Sequence, residues 1–268
     1  MTKNRLITLV ILVTLLGWFA WGLFTTARQE RFDGQLIGAI IRGDATAVRS
    51  LLDEGADPNA TEDASRHVSD WQHLSRFFRG MVGLRSTAPA KGKTALILAA
   101  GVMDVQPQIV LALLAKGADV HAKDEYGDTA LLALIDARQS PYARDIEIIP
   151  LENPDLVSAV IDKGADINAR DFSGETTLMV AIQWGMTQTA NSLIDRGADV
   201  NVVAPGCSPG TALNLAIDFG HPDLVKRLIA NHADVDLRED SGRSPLQWAE
   251  EVKSRPIIRL LKEAGARE

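Results

Sequence analysis

The chain has a single cysteine, Cys207, among 268 residues, which excludes an intramolecular disulfide and any zinc site built from several thiolates. Histidine is scarce as well. His67, His73, His121, His221 and His232 fall into no ligand spacing such as i,i+4 on one helix, so neither a metal nor another cofactor is expected. An excess of basic charge is missing: 28 Lys and Arg against 35 Asp and Glu leave a formal charge of -7. A nucleic-acid binder needs a net positive face to neutralise phosphates, so that class is set aside, and acidic substrates with it. Aromatic residues make up only 5% of the chain, so the few places where they gather carry information.

Long uncharged apolar runs are absent, with one exception. Leu6 to Phe24, LITLVILVTLLGWFAWGLF, contains no charged residue. As a helix rising about 1.5 Å per residue it would span roughly 28 Å, close to the hydrocarbon thickness of a bilayer. Trp18 and Trp21 sit toward its far end, where amphipathic rings favour the interface. Thr25-Thr26-Ala27 would also serve as a signal-peptide cleavage site, but the run is longer than an ordinary signal core, so a retained anchor over residues 1–28 is favoured. Lys3 and Arg5 on one flank are matched by Arg28 and Arg31 on the other, and orientation is therefore weakly specified. The short N-terminal tail is expected to stay in the cytoplasm, with residues 29–268 on the far, periplasmic or otherwise extracytoplasmic side of the membrane.

Beyond the anchor the dominant feature is repetition. Gly55-Ala56-Asp57, Gly117-Ala118-Asp119, Gly164-Ala165-Asp166, Gly197-Ala198-Asp199 and His232-Ala233-Asp234 are copies of one ending. The steps from Gly164 to Gly197, from Gly197 to His232 and from His232 to Gly265 are nearly equal, which marks a regular internal period. The earlier steps, Gly55 to Gly117 and Gly117 to Gly164, are longer and read as one period with added material. A second motif keeps phase: Thr94-Ala95-Leu96, Thr129-Ala130-Leu131, Thr176-Thr177-Leu178, Thr211-Ala212-Leu213 and Ser244-Pro245-Leu246. Each Thr or Ser is placed to cap a helix, and Pro245 suits a first helical position. A second helix follows in each unit, with apolar residues at i, i+3 and i+4, as in Leu224, Leu228 and Ile229. The glycine that ends it can adopt a left-handed backbone, and the Asp opens the next turn.

These residues resemble the ankyrin repeat family, whose period of about 33 residues matches the steps above. The resemblance covers about residues 34–268 and implies an all-α solenoid of about six helix-loop-helix units, preceded by one transmembrane helix. The units start near Gln35, Lys93, Tyr126, Ser173, Pro209 and Ser241. The histidine that completes the family's Thr-Pro-Leu-His is replaced by Ile97, Leu132, Met179, Asn214 or Gln247, so its cap hydrogen bonds are expected to be missing.

No reaction centre is expected. Gly206-Cys207-Ser208-Pro209-Gly210 fits a G-x-S-x-G hydrolase pattern, but the elbow needs a backbone N–H after the serine and Pro209 has none. The repeated aspartates are equivalents, whereas catalysis needs an asymmetric group. An enzyme using the Cys207–Ser208 loop is the remotest alternative, and no small-molecule substrate is expected.

The favoured function is noncovalent binding of another protein, in a scaffold, inhibitor or immunity-type role. Trp184 and Phe219 precede Gly185 and Gly220 at equivalent positions, which the resemblance places on the concave face; packing between repeats is the rival role. Tyr126 and Phe172 fall at loop tips. An insertion at 63–92 adds Trp71, Arg76, Phe77, Phe78 and Arg79, with a net charge of +3. Trp71, Leu74, Phe78 and Met81 recur at helical spacing, so a short amphipathic helix over about 69–81 is expected. It would dock on the first repeats, face the partner, or rest on anionic lipid. The lipid option gives a membrane-organising protein as the alternative function. A second insertion at 139–153 splits the third unit.

Overall fold

The computed structural model describes residues 24–62, 92–101, 106–135, 152–207, 209–239 and 241–267. The first helix, α1, covers 24–41 and pairs with α2, Ala45–Asp53. Five further pairs follow: α3 Ala95–Ala100 with α4 Pro107–Ala115, and α5 Ala130–Ala133 with α6 Pro154–Asp162. Next come α7 Thr177–Gln183 with α8 Thr187–Asp195, α9 Ala212–Asp218 with α10 Pro222–Ala230, and α11 Pro245–Glu251 with α12 Arg255–Glu263. The six expected units are thus present, one pair each.

Local chemistry starts each first helix as the sequence predicts. The hydroxyls of Thr94, Thr129, Thr176, Thr211 and Ser244 accept the N–H three residues on, at 3.0–3.4 Å. One expectation is overturned. Gln247, standing where the family has histidine, returns a bond: the Ser244 N–H donates to its Oε1 at 2.9 Å, completing a capping box. The amide reaches the same backbone group that an imidazole would, so this cap is not lost.

Each second helix ends with a left-handed residue. The φ angles at Gly117, Gly164 and Gly197 are 83°, 93° and 85°, and at His232, which replaces glycine, φ is 65°. A Cβ in that region costs about 1–2 kcal/mol, so unit 5 carries strain that the other tails avoid.

The apolar stripes of the helices face inward in two layers. First helices pack on first helices (α3 on α5, α7 on α9, α9 on α11) and second helices on second helices (α2 on α4, α8 on α10, α10 on α12). Ile37, Ile97, Leu131, Val180, Ile217 and Ala249 are buried in one layer, and Val48, Leu113, Val160, Leu193, Leu228 and Leu261 in the other. Burying each such side chain contributes about 1.5–3 kcal/mol, so this shared core holds neighbouring units together.

A polar ladder runs along the turns. Each tail aspartate closes its own turn: Asp57, Asp119, Asp166, Asp199 and Asp234 accept the N–H two residues on, at 2.8–2.9 Å. The residue reached by that turn then accepts from the next unit. Asp119 N–H donates to Asn59 Oδ1 (2.7 Å), Asp199 N–H to Asn168 Oδ1 (2.9 Å), Asp234 N–H to Asn201 Oδ1 (2.8 Å) and Arg267 N–H to Asp236 Oδ1 (2.7 Å). The repeated Asp is therefore structural: its carboxylate shapes its own turn, and at Asp119, Asp199 and Asp234 its N–H also ties it to the unit before.

At the N-terminal end α1 runs without a break across 28, and its first turns supply the first rung: Asp57 N–H donates to Asp33 Oδ1 at 2.9 Å. Among the described residues no helix is long and apolar enough to cross a membrane. Of the expected span only Phe24 is described, so the span lies otherwise outside these residues.

Candidate functional site

Two structural features hold the candidate residues that are described: the C-terminal caps of the first helices, and the tips of the loops leading into them. Trp184 is the C-cap of α7 and Phe219 the C-cap of α9, each followed by a left-handed glycine. The cap exists because Gly185 and Gly220, at φ 67° and 69°, turn the chain out of the helix toward the second one. The two rings differ in setting. Trp184 packs half-buried against the core, with an indole N–H that finds no acceptor, whereas Phe219 is 48% exposed.

A third residue belongs to this row. Val252 is the C-cap of α11, 37% exposed, and is followed by Lys253 at φ 56°. Trp184, Phe219 and Val252 thus occupy one position in units 4, 5 and 6. Neighbouring helices pack about 8–10 Å apart, so the row extends for roughly 20 Å. Reading for glycine misses Val252, because a lysine takes the left-handed position. Stepping one repeat period on from Phe219 finds it.

Tyr126 and Phe172 stand on the loop tips at 56% and 80% exposure. Their loops are held by carboxylates beneath them. Asp124 Oδ1 accepts from Tyr126 N–H (2.9 Å) and Asp128 N–H (3.0 Å), and Asp171 Oδ1 accepts from Ser173 N–H and Glu175 N–H, both at 2.9 Å. The aromatics are therefore displayed on rigid turns. Their chain positions are adjacent in the loop register, not equivalent, so they do not form a row of their own. The remaining predicted contacts, Trp71, Arg76, Phe77, Phe78 and Arg79, lie outside the described residues, as does the insertion at 139–153 up to Leu151. Its last two residues belong to the repeats: Asn153 caps α6, and Glu152 accepts the Gln188 N–H at 3.2 Å.

The base of the last loop is tied by a buried carboxylate. Glu239 is buried, accepting from Trp248 Nε1–H (2.8 Å), the Ser241 hydroxyl (2.9 Å) and the Gly210 N–H (2.5 Å), and so joins units 5 and 6. Arg243 lies over the Trp248 ring, 4.9 Å from its centre. The Cys207 loop closes tightly: its Sγ sits 3.6 Å from the Ser173 carbonyl oxygen, and a Cβ at Gly210 would come within 2.7 Å of the Cys207 carbonyl oxygen. Ser208 lies outside the described residues. Among the described residues no group of three or more His, Cys, Asp or Glu is arranged to hold a metal.

At the N-terminal end, burial pushes the Asp33 carboxyl above the usual carboxylate range, against the opposing pull of the Asp57 N–H and the Gln29 amide. The second-helix side carries the ion pairs Lys116–Asp53 at 2.8 Å, Arg196–Asp162 at 2.6 Å and Arg227–Asp195, together with Leu111 of α4, 47% exposed.

Comparison with known sequences agrees with this geometry. A family model described as ankyrin repeats in three copies matches residues 203–267, and a single-repeat model matches 91–125 and 173–204. The chain is an ankyrin repeat protein. It is 38% identical over 66 residues to the ankyrin repeat and KH domain-containing protein mask of Drosophila melanogaster, a match covering 25% of this chain and 2% of that protein. Human ankyrin repeat domain-containing protein 17 is 37% identical over 65 residues, covering 24% and 2%. Glycerophosphocholine phosphodiesterase GDE1 of Candida albicans is 36% identical over 89 residues, covering 32% and 8%. The chain thus spans a small fraction of each relative's length. Ankyrin repeats form protein–protein interaction modules, and the array described above has that architecture.

Proposed function

We propose that this ankyrin repeat protein binds another protein noncovalently, through the cap row Trp184, Phe219 and Val252 together with the tip aromatics Tyr126 and Phe172. The observation that carries this reading is where the exposed apolar side chains gather: among the described residues Tyr126, Phe172, Phe219 and Val252 stand on the caps and tips of the first-helix side, against Leu111 alone on the second helices. Rigid aromatics contribute strongly to interfaces because little entropy is lost when they are covered. Trp184 contributes by backing the row from within. The insertion residues Trp71, Arg76, Phe77, Phe78 and Arg79 are included in this proposal as further partner contacts, on the strength of their aromatic and basic character.

The proposal includes a single-pass anchor at 6–24, with the N-terminus cytoplasmic and the repeats extracytoplasmic. Support for it is the uncharged run and its flanking residues. Labelling of Cys207 by an impermeant thiol reagent on intact cells tests the orientation: modification only after lysis places the repeats in the cytoplasm.

Binding is tested by pull-down and photocrosslinking of the full-length protein. Phe219→Asp with Val252→Asp should reduce partner recovery at least about tenfold, since two exposed apolar anchors are lost, with the melting temperature nearly unchanged. Undiminished recovery removes the cap row from the interface.

A further inference from the structure

We infer that the N-terminal three turns of α1 form a contact for anionic lipid headgroups, an inference that rests on the proposed anchor at 6–24. Phe24, Ala27, Arg28, Arg31 and Phe32 fall at i, i+3, i+4, i+7 and i+8 and line one shallow recess on a single face of the helix. Phe24 is 67% exposed, both arginines are exposed, and the Arg28 guanidinium lies 5.4 Å from the centre of the Phe32 ring. Phe32 itself is seated against the core and fixes the inner end of the stripe.

The opposite side of the same turns is committed to the repeats. Gln29 Nε2 donates to the Gly55 carbonyl at 3.1 Å, and Asp33 Oδ1 accepts both from Gln29 Nε2 (3.0 Å) and from the Asp57 N–H (2.9 Å). Charge in this stretch is balanced, with Arg28 and Arg31 against Glu30 and Asp33, yet it is segregated. At about 100° per residue Glu30 and Asp33 fall on the docked side, and the arginines point away from it. The bonds to Gly55 and Asp57 set the rotation of the helix, and so which face is turned outward.

Its location selects the occupant. Phe24 is the last residue of the uncharged run, so Arg28 and Arg31 follow the hydrocarbon boundary by one and two helical turns. That is about 6–11 Å along a helix, within the headgroup layer and roughly one Debye length. Two guanidiniums flanked by phenylalanines present donors to phosphate and apolar edges to the acyl boundary. The rest of the chain carries a net negative charge, so attraction to an anionic surface must come from such a local patch.

The test uses the full-length chain with Cys207→Ser and Ala27→Cys, labelled at residue 27 with bimane and reconstituted in vesicles. One set is phosphatidylcholine alone, the other phosphatidylcholine mixed with phosphatidylglycerol. Quenching of the probe by a neutral aqueous quencher, which the surface charge does not repel, should be roughly threefold weaker on the anionic vesicles at low salt, and the difference should vanish in Arg28→Gln/Arg31→Gln and at high salt. A chain that floats with both vesicle types but quenches equally overturns the headgroup contact and leaves the anchor standing. Failure to float with either overturns the anchor and the inference with it. Protection that tracks protein concentration on both lipids assigns the face to a second copy and overturns the lipid contact.

Discussion

The junction between units 2 and 3 and the junction between units 4 and 5 solve the same stacking problem with different means. Between units 4 and 5, Asn201 Oδ1 accepts the Asp234 N–H, Asn201 Nδ2 donates to the His232 carbonyl at 3.0 Å, and Arg227 pairs with Asp195. Between units 2 and 3 the ladder position is His121, and the position that supplies Asp53, Asp162 and Asp195 elsewhere is Ala115. Among the described residues neither tie is made there. The first helix of unit 3, α5, is also four residues long where α7, α9 and α11 have seven. What remains at this seam is apolar packing, with Leu131, Leu132 and Ile135 buried. Insertion alone does not create a seam: the Asp119–Asn59 rung and the Lys116–Asp53 pair both span the 63–92 insertion intact. In a repeat array stability is a sum over neighbouring interfaces, so loss of polar ties lowers it locally.

The largest effect is expected at the strongest junction. Glu239→Ala removes three bonds to a buried carboxylate and leaves the Trp248 and Gly210 N–H groups unpaired, at a cost of about 3 kcal/mol. Urea titration should show it together with loss of cooperativity between units 5 and 6; a change below about 1 kcal/mol contradicts the assigned role.

The well-tied region has a flaw at Asn214, and repairing it should widen the contrast. Asn214 is fully buried with neither carboxamide atom bonded, while its counterparts Ile97, Leu132 and Met179 are buried apolar residues. Asn214→Leu should therefore raise stability by about 2 kcal/mol in the same titration. Destabilisation by that change would mean the amide has a partner.

Breaking the comparison from the other side, Asn201→Ala should turn the 4–5 junction into a second seam. Two bonds are lost, about 1.5 kcal/mol, and amide exchange at Asp234 should quicken accordingly. The reverse graft, His121→Asn with Ala115→Asp, gives Asp166 N–H an acceptor and Lys163 a carboxylate. It should stabilise by about 1 kcal/mol, most of it from the rung because the ion pair is exposed. Unchanged exchange at Asp166 would show that the seam has another origin.

The smallest effect concerns the N-terminal rung, where Asp33 stands at the place that Asn59, Asn168 and Asn201 take at other rungs. Its carboxyl is raised above the ordinary value of 3.8 by burial, so the folded state holds the proton more tightly than the unfolded chain does. The resulting stabilisation is complete below 3.8 and is lost as pH rises through the folded-state value. Asp33→Asn keeps the acceptor for Asp57 and should flatten this decline across mildly acidic pH. A steeper decline in the variant would refute the sign.

Legibility from sequence followed the range of each interaction. Thr94, Thr176 and Ser244 could be read as caps because their partners lie three residues away, and Gly164 and Gly197 as terminators because their role is their own backbone angle. Gln247 was misjudged: its bond to the Ser244 N–H depends on side-chain reach, which a comparison with the family's histidine does not supply. Val252 was missed because Lys253 occupies the left-handed position normally marked by glycine. The first unit was expected to start near Gln35, and the bonds of Gln29 to Gly55 and of Asp33 to Asp57 bring the preceding turns of α1 into it.

The order of residues by itself determines where helices begin and end and how many units there are, since caps and turns join groups two to four residues apart. Which rungs close, which junction lacks them, and which face of α1 is left outward are decided by the stacked structure. Those contacts join groups 24 to 60 residues apart, as in Asp57 with Asp33 and Asp119 with Asn59, and exist only once buried leucines and isoleucines have brought the units together.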